Sequence, residues 1–488
     1  MRYRGGAPHA ASPATTLPVT LAGRGRRDRA PAIAASDSGR RSLDTLRIAL
    51  FLVVFLSIGR MHQHYSFLAV FRPALVLVGL ATAMAVLQPR YLNSAHILST
   101  WHAKVVAAIG LMALASAPLG ISLGGSAVFF LSDFSKTLLL CFLLIAAIRQ
   151  AHDLAILSWG FVLGCAFLVY LSLFYFHLGT IGGGLSRLNN LYMYDANDIN
   201  SILLIGFGLL ALLVNASRGV VRYGGLVLML GMGASIARSG SRGGFLGLLV
   251  VGAALLITLN QVSVVRRLGF VALIGLGLAL YAPPGYWDQM GTILSPKKDY
   301  NWTATDGRKH IWTRGIGYML QYPIGGLGMH NFERAECTIS SKAREHVEGT
   351  GIACIAPHNS YLQMGAELGF PGLILWVTLL FGSIIKLGTL SKRVPRQWEG
   401  GDFEARLLFN APKYLRVCFL GFAVTSFFVS HAYLDPLYIL AALTAGTYNA
   451  VAERLEREAH APVPPTPSRG RAVLPAVPAL GHRRTYAP

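Results

Sequence analysis

The sequence predicts an all-α polytopic membrane protein, and three observations lead to this class. Of its 488 residues, 53% are hydrophobic and only 13% are charged, whereas soluble proteins carry about 25% charged residues. The apolar residues form about a dozen long runs, and a helix needs about 20 such residues to cross a membrane. The runs are continuous, whereas the strands of a membrane β-barrel are about 10 residues long and alternate in polarity.

The apolar runs predict about twelve membrane-spanning helices. We place them near residues 45–60, 67–87, 103–121, 127–148, 153–177, 198–215, 221–237, 242–259, 266–282, 359–386, 413–431 and 433–452. A long segment with nearly balanced charges separates the ninth span from the tenth, and helical patterns occur in it at 306–321 and 331–346. This segment is therefore predicted to be a large folded cap that contains short helices.

The basic residues predict the orientation of the chain. Lys and Arg are concentrated in the cytoplasmic loops of membrane proteins. They precede the first predicted span and follow the second, fourth, sixth, eighth and tenth, which predicts cytoplasmic termini and a cap on the opposite face. The formal net charge of +21 then reflects tails and inner loops that meet anionic lipid, and nucleic-acid binding is excluded.

The composition divides the chain into five parts. Both ends are rich in Pro, Ala, Gly and Arg and lack apolar periodicity, which is typical of disordered segments. The parts are a disordered basic cytoplasmic tail at 1–43, transmembrane helices 1–9 at 44–282, the cap at 283–358, transmembrane helices 10–12 at 359–455, and a disordered cytoplasmic tail at 456–488.

Two arginines lie at the predicted outer boundary between the seventh and eighth spans, in the stretch ARSGSRGGFLG. Arg242 is surrounded by serines and glycines, and the glycines allow close approach of the backbone. A basic, glycine-lined pocket at the start of a helix suits an anion such as phosphate. The alternative is a guanidinium among lipid headgroups. We favour the anion site for Arg242 and the lipid headgroups for Arg238.

The cap contributes a second group of candidates. In the predicted helix 306–321, Arg308 shares one face with Ile311 and Gly315 at i, i+3 and i+7 spacing. This face could lie over the membrane with its cation pointing inward. Arg314 is a further candidate on the same helix, and the alternative for these arginines is an ordinary exposed side chain.

The stretch PHNSYLQMGAELGFPGLILW places a histidine where the tenth span begins. Asn359 or Ser360 is predicted to cap this helix, and Asn359 could also orient a ligand. His358 then lies at the water boundary, where histidine can exchange protons near neutral pH. A catalytic base and a packing residue of the cap are both open interpretations of His358.

Two of the five cysteines, Cys337 and Cys354, lie in the predicted cap. Structural disulfides form in oxidising compartments. If the cap is extracytoplasmic, a bridge between these two cysteines is expected, and the alternative is a pair of free thiols.

Three stretches, taken in order, resemble the signature of the O-antigen ligase and O-antigen polymerase superfamily. They are SGSRGG, then GRKHIW with YPIGGLGMHNF, then PHNSYLQMGAELGFPGLILW. The predicted span number, the cytoplasmic N-terminus and the large loop before the tenth span are similar as well. The resemblance implies glycosyl transfer at the periplasmic face of a bacterial inner membrane, from a glycan on undecaprenyl pyrophosphate.

The resemblance also implies roles for single residues. Arg242 and Arg308 would bind the pyrophosphate, and His358 would take the proton of the acceptor hydroxyl that attacks the anomeric carbon. Direct displacement would invert that carbon. The first predicted outer loop has no carboxylate, whereas many glycosyltransferases with lipid-phosphate donors need an acidic metal site there. We therefore predict a reaction without a metal or another cofactor.

The stretch MYDANDIN falls where relatives carry an Asp/Asn-Pro-Asn element. Ala196 replaces the proline here, so the resemblance extends only weakly to Asp195 and Asn197 as substrate-binding residues. Arg187 is a further candidate in the same outer loop and has no motif support.

Several functions remain open at this point. A ligase would transfer the glycan to lipid A-core and a polymerase to a growing polysaccharide, and we favour the two equally. A protein O-oligosaccharyltransferase is a minor alternative. A polytopic transporter or lipid flippase is the alternative from another class, although the paired halves and mid-membrane charges typical of transporters are not evident in the sequence.

Overall fold

The structure is a computed structural model that describes residues 45–88, 91, 94–181, 185–189, 194–258, 263–295, 297, 302, 304, 307–344 and 354–460. The predicted tail at 1–43 lies outside the described residues, and so does the predicted C-terminal tail beyond residue 460.

Helices make up most of the described chain. They are α1 (Thr45–Gly59), α2 (Met61–His64), α3 (Ser66–Ala69), α4 (Pro73–Leu87), α5 (Ser94–Ile97), α6 (Trp101–Ser116), α7 (Leu123–Phe129), α8 (Ser135–Ala147), α9 (Ala151–Tyr170), α10 (Ala196–Ala216), α11 (Val220–Arg238), α12 (Arg242–Thr258), α13 (Val264–Tyr281), α14 (Tyr286–Gly291), α15 (Arg308–Gln321), α16 (Phe332–Thr338), α17 (Ser341–Arg344), α18 (Ser360–Arg393), α19 (Phe403–Thr425) and α20 (Asp435–Ala459).

Short elements of other kinds interrupt the helices. The 3-10 helices are Ala117–Leu119 and Arg396–Gly400, and π-helical turns follow α7 and α9 at Phe130–Phe134 and Leu171–Tyr175. The strands β1 (Leu178–Ile181) and β2 (Leu185–Leu188) form an antiparallel hairpin. The sequence interpretation did not include this hairpin.

In the described part of the chain, eight helical stretches are long and apolar enough to cross a membrane. They are Ser66–Leu87, Trp101–Leu119, Leu123–Ala147, Ala151–Tyr175, Ala196–Ala216, Val220–Arg238, Ser360–Arg393 and Phe403–Thr425. Each coincides with one of the predicted spans. The protein is therefore an all-α polytopic membrane protein.

The other four predicted spans are also helices in the structure. α1 and α12 are apolar but have 15 and 17 residues, which is short for a hydrocarbon core about 30 Å thick. α13 and α20 coincide with the ninth and twelfth predicted spans. The eleventh span was predicted to start at 413, but α19 starts at Phe403 because Asp402 caps it there.

Helix α10 is the buried centre of the bundle. Nearly all of its residues are buried, as expected of a helix that is apolar on every side. Two glycines let neighbouring helices approach closely. A Cβ added to Gly206 would lie 2.4 Å from Cys165 Sγ, and one added to Gly208 would lie 2.5 Å from Cys418 Sγ. These two cysteines are free thiols that serve as packing residues.

Helix α20 continues to Ala459, past the predicted start of the tail at 456. Ion pairs one turn apart stabilise its end, with Arg454 Nε lying 3.0 Å from Glu458 Oε1. Trp398 Nε1 also donates to Glu458 Oε2 at 3.0 Å. The last turns of the helix are therefore stabilised by polar contacts. A prediction based on apolar periodicity does not detect such contacts, so it ended the helix too early.

The described part of the predicted cap at 283–358 packs against the first half of α18. Its described helices are α14 to α17, of which α15 and α16 occupy the regions where helices were predicted. Ile311, Tyr318 and Phe332 form an apolar cluster with Leu362 of α18. The predicted face of α15 is the buried one, since a Cβ on Gly315 would lie 2.6 Å from the Leu362 side chain.

Helix α18 is broken at Gly369, where the backbone of the cap contacts it. Gly369 has a φ of 68° inside the helix, so the hydrogen bonding of the helix is interrupted. Phe370 N–H donates to the Pro323 carbonyl, and Leu327 N–H donates to the Ala366 carbonyl, both at 2.8 Å. The glycine-rich bend of the cap therefore satisfies backbone groups that the break leaves without helical partners.

Glu367 joins the same two elements through its side chain. Its carboxylate accepts the backbone N–H groups of His330 and Phe332, each at 3.0 Å. These donors lie at the start of α16, where a carboxylate is favoured by the helix dipole. Cys337 in α16 forms a disulfide with Cys354, so the cap is also tied covalently to the segment that leads into α18.

Gly326→Ala is expected to destabilise the junction between the cap and α18. Gly326 has a φ of +66°, and an added Cβ would lie 2.3 Å from the carbonyl carbon of Glu367. The left-handed backbone and the clash together should cost about 2–4 kcal/mol of unfolding free energy, measured by chemical or thermal unfolding of the purified protein.

Gly317→Ala is the matched control. A Cβ at this helical glycine meets no heavy atom within 4 Å, and alanine favours a helix by up to about 1 kcal/mol. The two substitutions should therefore change stability in opposite directions. An unchanged unfolding midpoint for Gly326→Ala would contradict the close backbone contact.

Candidate active site

Six separate segments of the chain line one cavity of about 270 Å³ beside the cap. It is lined by Arg187, Asp195, Asn197, Gly240, Ser241, Arg242, Gly243, Gln289, Gly307, Arg308, Ile311, Ile355 and His358. The cavity thus brings together both arginines predicted to bind pyrophosphate, the predicted base, and three of the further candidates.

Four helices begin at this cavity. α10 contributes its N-cap Asp195, α12 its first residue Arg242, α15 its first residue Arg308, and α18 begins just after His358. A helix N-terminus carries about half a positive charge and presents free N–H groups, which favour anions. The cavity is therefore an anion-binding environment even before the arginine side chains are considered.

Arg242 is anchored by a contact to the cap. Its guanidinium Nη1 donates to Thr292 Oγ1 at 2.8 Å, and the Thr292 hydroxyl donates to the Gln289 carbonyl at 2.7 Å. At the start of the helix, Ser241 Oγ accepts the N–H of Gly244 at 3.1 Å. The side chain is half-buried and lines the cavity, so its charge is held within the protein.

Arg308 lies near the same aromatic ring that packs against α12. Its guanidinium carbon is 5.8 Å from the centre of the Phe428 ring, within the range of a cation–π contact. A Cβ added to Gly243 would lie 2.6 Å from Phe428. Phe428 therefore contacts the starts of both α12 and α15 and fixes the spacing of the two arginines.

His358 is held in an unusual backbone conformation at the rim of the cavity. Its φ is +46°, which is uncommon for residues other than glycine and often occurs at functional sites. Its N–H donates to Ser430 Oγ at 3.0 Å, and the preceding Pro357 carbonyl accepts from Trp312 Nε1 at 3.0 Å. These two hydrogen bonds hold the backbone of His358 in place at the rim of the cavity.

The surroundings of His358 favour its neutral form. Burial lowers the pKa of His358 most, and the charge of Arg308 lowers it further. The carboxylates of Asp195, Asp198 and Glu333 act in the opposite direction and raise this pKa. The net pKa lies below the ordinary value of histidine, so the ring remains able to accept a proton at neutral and mildly acidic pH.

The residues before α10 complete the cavity wall. The Asp195 carboxylate accepts the N–H groups of Asn197 and Asp198 at 2.6 and 2.7 Å, so this aspartate caps the helix without the proline that relatives carry. Arg187 is on β2, opposite Gly179 of β1. The hairpin therefore brings a third arginine to the same cavity.

Two of the further candidates form contacts with other protein groups. Arg314 forms an ion pair with the buried Glu336, whose Oε1 lies 3.0 Å from its Nε, and Glu336 also accepts from the Tyr318 hydroxyl. The Arg238 guanidinium donates to the Phe176 carbonyl at 3.2 Å. Neither arginine lines the cavity, because each has a partner on another side of its helix.

Asn359 forms contacts with the helix that follows it. Its side-chain oxygen accepts the N–H groups of Tyr361 and Leu362 at 3.0 and 3.1 Å. Asn359 is therefore the N-cap of α18, as the capping interpretation predicted. It supports the site by fixing where the helix after His358 begins.

The sequence analysis missed His431, which joins two of the helices that begin at the cavity. His431 is buried, with Nε2 at 2.9 Å from Asp198 Oδ1 and Nδ1 at 2.9 Å from Ser201 Oγ. Its backbone N–H donates to Ser360 Oγ at 2.9 Å. One residue therefore connects α10 to the start of α18. Only the unusual position of a histidine between two apolar spans hinted at it.

The segment around His431 also forms hydrogen bonds with the start of α18. Ser360 N–H donates to the Ser426 carbonyl and Ser360 Oγ donates to the Val429 carbonyl, both at 2.7 Å. Ala432 N–H donates to Gln363 Oε1 at 3.3 Å. Residues 426–432 therefore form a polar seat, named here the 426–432 seat, that positions His358.

Residues 224–377 match the O-antigen ligase family. The match runs from α11 into α18 and includes Arg242, Arg308 and His358, so it confirms the resemblance to the O-antigen ligase and polymerase superfamily. An O-antigen ligase domain implies activity of the glycosyltransferase type in this membrane protein. No curated protein matches the chain.

The positive charge around the cavity comes from side chains and helix starts. Arg187, Arg242 and Arg308 all line the cavity, and Asp195 is the one carboxylate in the described lining. Within the described residues, no three His, Cys, Asp or Glu side chains are grouped closely enough to hold a metal ion. The arrangement is suited to binding a multiply charged anion beside a neutral imidazole.

His431→Ala is expected to destabilise the junction between the 426–432 seat and α10. The substitution leaves the partly buried Asp198 carboxylate without its imidazole partner, which should cost about 2–4 kcal/mol. Unfolding of His431→Ala, Asp198→Asn and the double variant should show a coupling of about 1 kcal/mol or more.

Arg454→Ala provides the comparison, because it removes an ion pair at a more exposed position and should cost under about 1 kcal/mol. Strictly additive effects of the His431 and Asp198 substitutions would show that the pair does not hold the two helices together.

Proposed function

We propose that the protein transfers a glycan from undecaprenyl pyrophosphate to an acceptor hydroxyl at the periplasmic face of a bacterial inner membrane. The observation that carries the proposal is the convergence of Arg242, Arg308 and His358 on one cavity. These residues are distant in the sequence, and the match to the O-antigen ligase family covers all three. A diphosphate and a proton donor are the two chemical groups that such a cavity would bind together.

The proposal includes a membrane arrangement of about twelve spans with both termini in the cytoplasm. The positions of Lys and Arg support it, as does the disulfide between Cys337 and Cys354, since stable disulfides belong to oxidising compartments such as the periplasm. The cap and the cavity then face the periplasm. Multi-pass localisation in the inner membrane gives the polyprenyl chain of the donor access to the protein from within the bilayer.

The reaction begins with proton removal by His358. The neutral imidazole accepts the proton of the acceptor hydroxyl as that oxygen forms a bond to the anomeric carbon of the donor sugar. The lowered pKa of His358 keeps the ring in the neutral form that this step requires. Because the 426–432 seat holds the backbone of His358, little reorganisation is needed when the substrates are in place.

The bond between the anomeric carbon and the pyrophosphate oxygen breaks in the same step. Its electron pair moves to that oxygen, and undecaprenyl pyrophosphate leaves with its full negative charge. Arg242, Arg308 and the converging helix starts stabilise this charge, which is the role that metal ions have in other phosphate transfers. Attack opposite the leaving group inverts the anomeric centre, and the reaction proceeds without a metal.

The acceptor is lipid A-core if the protein is a ligase and a growing polysaccharide if it is a polymerase. Both acceptors offer a sugar hydroxyl, which is all that the His358 step requires. A transporter or flippase is disfavoured because the charged residues of the cavity lie beside the cap, whereas transported substrates bind near the middle of the membrane.

His358→Ala and Arg242→Lys should each reduce glycan transfer by roughly a hundredfold or more. The first removes the proton acceptor, and the second keeps a positive charge but loses the planar two-pronged contact with phosphate. The measurement is transfer by the purified chain from an undecaprenyl-pyrophosphate glycan, together with gel analysis of lipopolysaccharide and exopolysaccharide from a deletion strain carrying each variant.

His310→Ala is the matched control, because His310 is exposed on α15 and lies outside the cavity, so it should retain activity. Full transfer by His358→Ala in protein that inserts normally would remove this residue from the mechanism. Loss of activity in EDTA that Mg²⁺ restores would overturn the metal-independent step.

The pH dependence of transfer should report the proton on His358. Activity is expected to fall as pH decreases through the pKa of His358, which lies below the ordinary histidine value because of burial and Arg308. Asp195→Asn retains a side chain that caps α10 but removes a carboxylate that raises this pKa. The acidic limb of kcat/KM against pH should therefore move to lower pH in Asp195→Asn.

Glu456→Gln is the control for this profile, because Glu456 is roughly 30 Å along α20 from the start of that helix and should leave the profile unchanged. A shift of the Asp195→Asn profile to higher pH, or no shift at all, would mean that another group controls the acidic limb.

A further inference from the structure

A second cavity, of about 520 Å³, lies beside the first one. Its walls come from the end of α1, the stretch from α2 to α4, the π-helical turn with α8, and the start of α20. Tyr194 lines this second cavity, whereas the next residue, Asp195, lines the first. The two cavities are therefore separated by the short chain segment that leads into α10.

Cationic side chains surround the second cavity. Arg60, Arg72 and Lys136 line it, together with the acidic residues Asp133 and Asp435. Both acids accept a hydrogen bond from a hydroxyl group, Asp133 from Ser132 and Asp435 from Thr137. The formal charge of the lining is positive, which favours an anionic ligand.

Two of these cations have a strained backbone. Arg60 and Arg72 have φ values of 45° and 44°. Among the described residues other than glycine, positive φ values occur elsewhere only at His330 and at His358, which lines the first cavity. Such strain costs on the order of 1 kcal/mol per residue and is concentrated at functional sites. Its presence at both cavities marks the second cavity as a binding site.

Aromatic contacts hold two of the strained residues, Arg60 and His330, in place. The guanidinium carbon of Arg60 is 4.1 Å from the centre of the Tyr194 ring, the residue that separates the cavities. The ring of His330 stacks on Phe129 at 4.0 Å, and Phe129 lines the second cavity. The side chains that line the second cavity are therefore held by contacts within the protein. One segment of the chain, at Tyr194 and Asp195, contributes to the walls of both cavities.

The second cavity also has an apolar wall that reaches the surface facing lipid. Leu75, Val78 and Leu140 line it. Leu75 belongs to α4 and is 47% exposed, and neighbouring side chains such as Val76 are exposed as well. The stretch Ser66–Leu87 is apolar enough to cross a membrane. A ligand with a charged headgroup and hydrocarbon chains would match both walls.

We propose that the second cavity binds the phosphorylated headgroup of an amphiphilic acceptor whose acyl chains lie along α4. This inference rests on the proposed function, because glycosyl transfer needs two substrates and a cavity of about 270 Å³ is too small to hold both headgroups. Arginine and lysine together suit phosphate, the first through its planar fork and the second as a point charge. The acceptor is thereby held on the opposite side of Tyr194 and Asp195 from the donor diphosphate.

The test measures binding of lipid A, a diphosphorylated glycolipid, to the purified full chain by native mass spectrometry. Arg72→Ala with Lys136→Ala should weaken lipid A binding by on the order of tenfold or more, because two phosphate-binding cations are lost. Arg72→Lys with Lys136→Arg should retain binding. Lys309→Ala is the matched control, since Lys309 is exposed on α15 and lines neither cavity.

Each result is decisive for the second cavity. Unchanged lipid A affinity in the alanine pair overturns the proposal, and so does equally tight binding of phosphatidylglycerol, which would mean that the cavity binds bilayer lipid in general. If the alanine pair does not fold, Lys136→Gln alone gives the answer, because this lysine is exposed and its replacement does not disturb packing.

A separate variant distinguishes this proposal from the proposed function. Arg242→Ala should lose binding of undecaprenyl pyrophosphate and keep the lipid A affinity of the wild type, because the two sites are distinct. The wild-type protein could bind lipid A through Arg72 and Lys136 and yet transfer no glycan. That result would support the second binding site and contradict the proposed glycosyltransferase activity. Loss of lipid A binding in Arg242→Ala would overturn the separation of the two sites.

Discussion

The start of α18 is the constraint on which the candidate active site depends. Asn359 caps the helix and so fixes its first residue. The Ser360 hydroxyl donates one hydrogen bond to the 426–432 seat and accepts another from it. Glu367 caps α16 of the cap. These contacts satisfy polar groups that would be costly to bury alone. His358 therefore has a fixed position relative to the cap on one side and to α10 on the other, and the arginines are placed against it by the same elements.

The main features of the fold and of the cavity could be predicted from the sequence because their signals are local. Apolar runs identified every span as a helix, and Arg242, Arg308 and His358 each stand at a helix start within a recognisable motif. Arg238 and Arg314 have similar local surroundings in the sequence, but the groups that they contact in the folded protein lie outside the cavity. Arg314 pairs with Glu336, 22 residues away in the sequence, and spacing alone does not indicate such a partner.

The features that could not be predicted depend on contacts between distant parts of the chain. His431 and Ser201 are 230 residues apart, so no window of sequence contains both. The break at Gly369 was hidden because the apolar run continues through it, although the following Pro371 is a typical helix breaker. The convergence of four helix starts is likewise a property of packing, and it adds to the positive charge of the arginines that line the cavity.

The small size of the first cavity has a consequence for the products. A volume of about 270 Å³ has room for a diphosphate and the adjoining sugar, so under the function proposed above the remainder of a long glycan would lie outside the cavity. The residues that line the cavity would then contact only the end of the donor next to the pyrophosphate, and donors with glycans of different length would be bound in the same way.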